Sequence, residues 1–160
     1  MQNNSEILVK KNELTSSMED YLEAIYDLEM EKGYATTGEI SSYLNINPAS
    51  VTEMIQKLGR LGFVRYERYR GVVLTSKGKK AGESVKKRHD ILSTFLILLG
   101  IDEETAERDA CKIEHDVDSK TLERLEKFVQ FIQNAPHDPK WLKHFRHYIN
   151  TGKHPKCDEE

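Results

Sequence analysis

The sequence predicts a mainly α-helical protein in two parts: three helices closed by a short β-hairpin, then a longer, wholly helical part. Three observations carry this expectation. Apolar residues recur at spacings of three and four through most of the chain, the period of a helix with one buried face. That pattern gives way to β-rich runs only over "FVRYERYRGVVLTSKG", residues 63–78. The third is composition: 160 residues with 38% hydrophobic and 32% charged side chains suit a helix-rich protein of one domain or two small ones.

Each element has its own signal. Residues 1–14 read as a polar leader. "TSSMEDYLEAIYDLEMEKG" offers Ser16 or Ser17 as an N-cap and Gly33 as a stop, with Met18, Tyr21, Leu22, Ile25, Tyr26 and Leu28 on one face. A short helix is expected over Thr36–Asn45, with Ile40, Tyr43 and Leu44 inward. A third opens on Pro48, well suited to a first helical position, with Val51, Met54, Ile55 and Leu58 as its buried stripe. The hairpin strands are expected at Phe63–Glu67 and Val72–Thr75, around a turn that contains Gly71. A long helix should then run from Ser76 to Leu99. Its first half is basic (Lys77, Lys79, Lys80, Lys86, Lys87, Arg88); its second is apolar (Ile91, Leu92, Phe95, Leu96, Leu98, Leu99). Further helices are expected over Glu103–Val117, from Asp118 or Ser119 through Ile132, and over Lys140–Ile149. The domain reading is 1–75, 76–150 with 76–99 as the linking helix, and a flexible tail over 151–160.

The formal net charge of −3 means that the whole molecule is not a polycation, so any nucleic-acid surface must be a local patch. Two cysteines, Cys111 and Cys157, suggest a reduced compartment rather than a disulfide framework. The N-terminus has no apolar core of the signal-peptide kind, and "FLILLG" is far too short to span a bilayer. A cytoplasmic protein with no membrane partner is expected.

Helix, close helix pair, then hairpin is the order of a winged helix-turn-helix. The second helix of such a pair can lie in the major groove of double-stranded DNA. Here it would present Asn47, Ser50, Thr52 and Gln56, with Lys57 further along. The hairpin tip, Arg68, Tyr69 and Arg70, suits a phosphate backbone or minor groove. Glu53 stands against this reading unless it accepts from a cytosine amino group or points away.

A second constellation has metal-ligand chemistry. Cys111, Glu114 and His115 fall at i, i+3 and i+4, hence on one helix face. Asp20 and Glu23 share a face of the first helix, and His89 lies midway along the long one. Carboxylates, imidazoles and one thiolate together suit a divalent transition ion: Mn2+ or Fe2+ by the carboxylates, Fe2+, Co2+ or Zn2+ by the thiolate. Taken singly, each group also suits a solvated charged face or, for the cysteine, a small core residue.

The stretches "SSMEDYLEAIYDLEMEKGYA", "NPASVTEMIQKLGRLGFVRYERYRGVVLTSKGKKAG", "KKRHDIL" and "CKIEHDV" carry a resemblance. From Ser16 to Ile132 the sequence resembles the diphtheria toxin repressor/manganese transport regulator family of metal-dependent repressors. The resemblance implies a homodimer, an N-terminal winged-helix domain, a helical dimerisation domain and a metal site between them. Asp20 and Glu23 correspond to the manganese branch's first-helix ligands, where the iron branch has a methionine in place of Asp20. His89, Glu114 and His115 correspond to ligands of both branches. Cys111 corresponds to the cysteine of the iron branch, where the manganese branch has a glutamate. Ser93 and Glu107 occupy two positions of the iron branch's ancillary ligands. The implied mechanism is a cation that favours the DNA-binding state of a dimer on a roughly palindromic operator. The dimer surface is expected on the apolar half of the long helix and the faces bearing Leu122, Leu125, Phe128 and Val129.

Two alternatives stand beside this. One is a winged-helix regulator that answers to another ligand and has no regulatory metal. The other is a metalloenzyme with Glu114 as general base, which the absence of an H-E-x-x-H pattern or a visible substrate pocket speaks against. The sequence reads as a regulator, not an enzyme. His137, His144, His147 and His154 read as scattered surface histidines.

Overall fold

The computed structural model describes residues 14–155. The polar leader and the end of the tail, including Cys157, lie outside the described residues. Seven helices and one hairpin occur among the described residues, in the order α1 (Ser16–Lys32), α2 (Thr37–Leu44), α3 (Pro48–Arg60), β1 (Val64–Glu67), β2 (Gly71–Leu74), α4 (Ser76–Leu98), α5 (Glu103–Ile113), α6 (Ser119–Gln133) and α7 (Lys140–Thr151). The mainly α class and the helix–helix–helix–hairpin order hold as expected. No helix among the described residues is long and apolar enough to cross a membrane. Two compact units divide the chain within α4, between Lys87 and Arg88.

In the first unit α1 is capped one residue earlier than expected. The Thr15 hydroxyl accepts from the Met18 N–H at 3.3 Å, which puts Ser16 and Ser17 inside the first turn. Gly33 ends the helix in the left-handed region at φ 87°, donating its N–H to the Glu29 carbonyl. Thr36 and Glu39 form a reciprocal capping box at the start of α2. Asn45, at φ 52°, turns the chain, and Ile46 N–H donates to Ser41 O at 3.0 Å. Asn47 then caps α3 through Oδ1, which accepts from Ala49 N–H at 2.8 Å. The helix pair is therefore closed by side chains already present at its turn.

The hairpin is antiparallel, with Val64 opposite Leu74 and Glu67 opposite Gly71. Ala35 extends it by a bridge to Val72. Met18, Leu22, Ile25, Ile40, Val51, Leu58, Phe63 and Val72 make one buried cluster beneath the helices and hairpin. Two charged side chains of α1 staple its outer parts. Glu29 accepts from Leu74 N–H at 2.7 Å and pairs with Lys79 at 2.9 Å. Asp27 pairs with Lys86 at 3.4 Å. Part of the basic start of α4 is thus engaged with α1. Gly82 lets this happen: a Cβ there would lie 2.8 Å from the Leu22 carbonyl oxygen and 2.9 Å from the Tyr26 Cβ.

The second unit packs Leu92, Ala110 and Leu122 at its centre, with Val117 and Leu125 against them. Phe95 meets Phe128 edge-on at 5.9 Å, and Phe128 meets Trp141 at 6.0 Å. Helix α5 ends at Ile113, four residues short of the expected Val117. The reason is the next cap. Asp118 has extended backbone (φ −66°, ψ 145°) and caps α6 by accepting from Lys120 N–H at 2.8 Å, so the chain must leave the helix before it. It does so through a tight turn in which Asp116 N–H donates to Ile113 O.

Candidate metal centre and nucleic-acid interface

The early end of α5 fixes how its ligand-type residues are presented. Cys111 lies on the last helical turn with its side chain exposed. Glu114 is the C-cap, still near helical backbone at φ −59°, ψ −28°, and it turns fully inward, at 0% exposure. His115 follows in the turn.

The second unit brings three of the expected ligands together. The Glu114 carboxylate has His89 Nδ1 2.9 Å from its Oε2 and His115 Nε2 3.5 Å from its Oε1. His89 is itself buried. Oε1 of Glu114 has no hydrogen-bond partner among the described residues. A fully buried carboxylate oxygen left in that state is costly, by about 1–3 kcal/mol, more if the group is charged. A divalent cation beside it would meet carboxylate and imidazole donors, the set that Mn2+, Fe2+, Co2+ and Zn2+ accept. The residues present therefore fit a metal. In the first unit, Asp20 and Glu23 sit one turn apart on α1; Glu23 is buried and Asp20 half-buried.

One participant was only partly visible in the sequence. Glu107 Oε2 lies 2.7 Å from the second ring nitrogen of His89, Nε2, and the Ser93 hydroxyl donates to Glu107 Oε1. Its signal was spacing: Glu107 precedes Cys111 by four residues and Glu114 by seven, along one face of α5.

On the first unit, all eight residues expected at DNA are exposed: Asn47, Ser50, Thr52, Gln56 and Lys57 at or on α3, and Arg68, Tyr69 and Arg70 on the hairpin tip. Tyr69 is 91% exposed and has φ 68°. A bulky side chain in that region is uncommon away from tight turns and functional tips. Arg68 stacks over its ring at 5.0 Å. Glu67 faces two arginines, Arg65 at 2.8 Å and Arg70 at 3.6 Å, and so tempers the charge of the tip. Glu53 is exposed one turn before Lys57.

Comparison with known proteins gives this arrangement a family. The family model described as "Iron dependent repressor, N-terminal DNA binding domain" matches residues 13–72, and "Iron dependent repressor, metal binding and dimerisation domain" matches residues 75–143. The HTH-type transcriptional regulator MntR of Bacillus velezensis is 45% identical over 129 residues, 81% of this chain and 91% of that protein. The regulator of the same name from Geobacillus kaustophilus is 46% identical over 119 residues, 74% of this chain and 84% of that protein.

The chain belongs to the iron-dependent repressor family.

Members of this family are metal-dependent transcriptional regulators rather than enzymes, and this member carries both the family's DNA-binding domain and its metal-binding, dimerisation domain. Among solved structures, that of the manganese regulator SloR is similar at a TM-score of 0.66 and 29% identity, over 78% of this chain. This family member spans 58% of the SloR chain.

Proposed function

We propose that the protein is a metal-activated repressor of metal-ion homeostasis, acting in the cytoplasm as a homodimer on a roughly palindromic double-stranded operator. The ligand set in this proposal is Asp20, Glu23, His89, Cys111, Glu114 and His115, and the cation is Mn2+ or Fe2+ ahead of Co2+ or Zn2+. The observation that carries it is the buried Glu114 carboxylate, flanked by two imidazoles and with one oxygen lacking a hydrogen-bond partner among the described residues. When bound, the ion supplies positive charge that makes a cluster of acidic side chains stable together. His89, Glu114 and His115 hold their donor atoms within one unit, and Asp20 and Glu23 add two carboxylates on α1. Cys111 supplies a soft donor among hard ones, which widens the range of ions the site accepts.

Two features support the DNA and dimer parts. The exposed polar face of α3 and the arginine-bearing hairpin tip suit groove and phosphate contacts. On α4, Ile91, Phe95, Leu96 and Leu98 are only half-buried, as is Leu99 just after it, and Ile97 is 43% exposed, an apolar segment that suits a second copy. Metal then acts by favouring the DNA-binding state, with a coupling of about 1–3 kcal/mol per effector.

The test is fluorescence anisotropy of labelled duplex fragments from the gene's own upstream region, with Mn2+, Fe2+, Co2+ or Zn2+ and with a chelator. Metal should raise affinity about 5–150-fold. His115→Ala should abolish that response with the fold intact. Arg70→Ala should weaken binding with and without metal and reduce the salt slope by about one. Equal affinity with chelator and with every metal would overturn the proposal.

A further inference from the structure

We propose that Glu107 is a positioning residue for the metal ligand His89, and that Ser93 holds Glu107 in place. The inference rests on the metal reading above and deepens it. Three contacts in one unit line up. Ser93, itself only 3% exposed, donates its hydroxyl to Glu107 Oε1. Glu107 Oε2 faces His89 Nε2 at 2.7 Å. On the far side of the ring, His89 Nδ1 faces the buried Glu114 at 2.9 Å.

The chemistry follows from the two nitrogens of an imidazole. A metal needs a ring nitrogen with its lone pair unprotonated. Which nitrogen that is depends on where the other one donates its N–H. A carboxylate accepts and cannot donate when ionised, so each ring nitrogen faces an acceptor, Nε2 at Glu107 and Nδ1 at Glu114. A cation held by Nδ1 and Glu114 would take the place of the Nδ1 proton, and Glu107 then keeps the ring hydrogen on Nε2. Ser93 restricts Glu107 to the rotamer that makes this contact. Such a brace is needed because the Glu107 side chain is 51% exposed and would otherwise sample water. Ser93 follows His89 by four residues on α4, and Glu107 stands on α5, so the brace ties the ring to two helices.

This differs from a ligand role. A ligand lost to substitution removes coordination and can remove an ion. A positioning residue lost to substitution leaves the number of ions unchanged and weakens the site about 10–100-fold. The experiment compares wild type with Glu107→Ala, Glu107→Gln, Ser93→Ala and His89→Ala. Mn2+ affinity and stoichiometry are measured by competition with a fluorescent chelator, and thermal unfolding checks the fold. Glu107→Ala should weaken Mn2+ binding by about 10–100-fold at unchanged stoichiometry. Glu107→Gln, whose amide oxygen still accepts from Nε2–H, should recover most of it, and Ser93→Ala should fall between. In the 113Cd-loaded, 15N-labelled wild type, metal–nitrogen coupling should appear at His89 Nδ1.

Glu107→Ala binding within twofold of wild type, or one ion fewer per chain, overturns the inference, as does coupling at His89 Nε2. If His89→Ala is defective while Glu107→Ala is not, this inference alone fails. If wild type binds no Mn2+ or Cd2+ saturably, the functional reading fails with it.

Discussion

At the scale of single residues, burial decides more than identity does. Several acids could have been the centre of a metal site, but among the described residues only Glu114 is fully buried. Holding a carboxylate there costs stability in the absence of a cation. Glu114→Gln should therefore raise the metal-free protein's stability by about 1–2 kcal/mol while abolishing tight metal binding. Urea unfolding in chelator, followed by Mn2+ titration, checks both halves; a variant less stable without metal would contradict the first. Glu39 shows the opposite case, an acid that is stabilised where it stands. Lys32 and then Thr36 bond to it and lower its pKa from the usual 4.5 to about 2. Because the folded value is depressed, its contribution is present above pH 4.5 and is lost as pH falls toward 2. The stability gap between wild type and Glu39→Gln should be widest near neutrality and close across that window in pH-dependent unfolding. The residue types of the proposed metal set stand in the sequence itself, since ligand chemistry is written in side-chain identity. Which of them is buried was not, because burial is settled by contacts distant in the chain.

At the scale of elements, helix starts were mostly legible and ends less so. Caps at Thr36, Asn47 and Asp118 are local side-chain chemistry, and the stop at Gly33 is the positive φ that a residue without a Cβ adopts. The end of α5 is different. It is imposed by the next helix's cap, which a periodicity argument running through Val117 does not register. Gly82 likewise carries no local signal, being one glycine inside a helical run. Its place against Leu22 and Tyr26 makes it the point where α4 can approach α1. Gly82→Ala gains about 0.5–1 kcal/mol of helix preference. Against that, the new methyl meets backbone at 2.8 Å, and overpacking of this kind costs about 1–3 kcal/mol. A net loss on chemical denaturation is expected, and a gain would mean that the two helices separate freely. The basic half of α4 also changes meaning at this scale. Lys79 and Lys86 have acidic partners on α1, so they anchor the first unit as much as they add positive potential.

At the scale of the molecule, the division into a DNA-binding and a metal-binding, dimerisation part was legible from the hairpin interrupting the helical period, and the family models mark the same two functions. What periodicity left open was which apolar residues serve the core and which serve a partner. Leu92 is buried in the second unit, whereas the apolar residues around it on α4, Ile91, Phe95 and Leu96, remain partly exposed. Ile97→Glu should shift a dimer toward monomer in sedimentation velocity and lower operator affinity, while Mn2+ affinity per chain stays within a few-fold. A variant that remains dimeric would move the interface elsewhere. In the proposed complex of a homodimer with a roughly palindromic operator, two α3 helices would meet half-sites about one helical turn apart.

The cap of α3 has a consequence for what that helix would read in the proposed DNA complex. Asn47 Oδ1 already takes the Ala49 N–H, and the Thr52 hydroxyl donates to Pro48 O at 3.1 Å. The two-point handshake that an asparagine makes with adenine needs its oxygen facing outward. Here the amide offers its NH2 instead, a probe for guanine edges, thymine O4 or phosphate oxygens. The threonine's methyl is left as a partner for a thymine methyl. The opening turn of α3 would thus tell bases apart by hydrogen-bond acceptors and methyl groups, a vocabulary narrower than its list of polar side chains suggests.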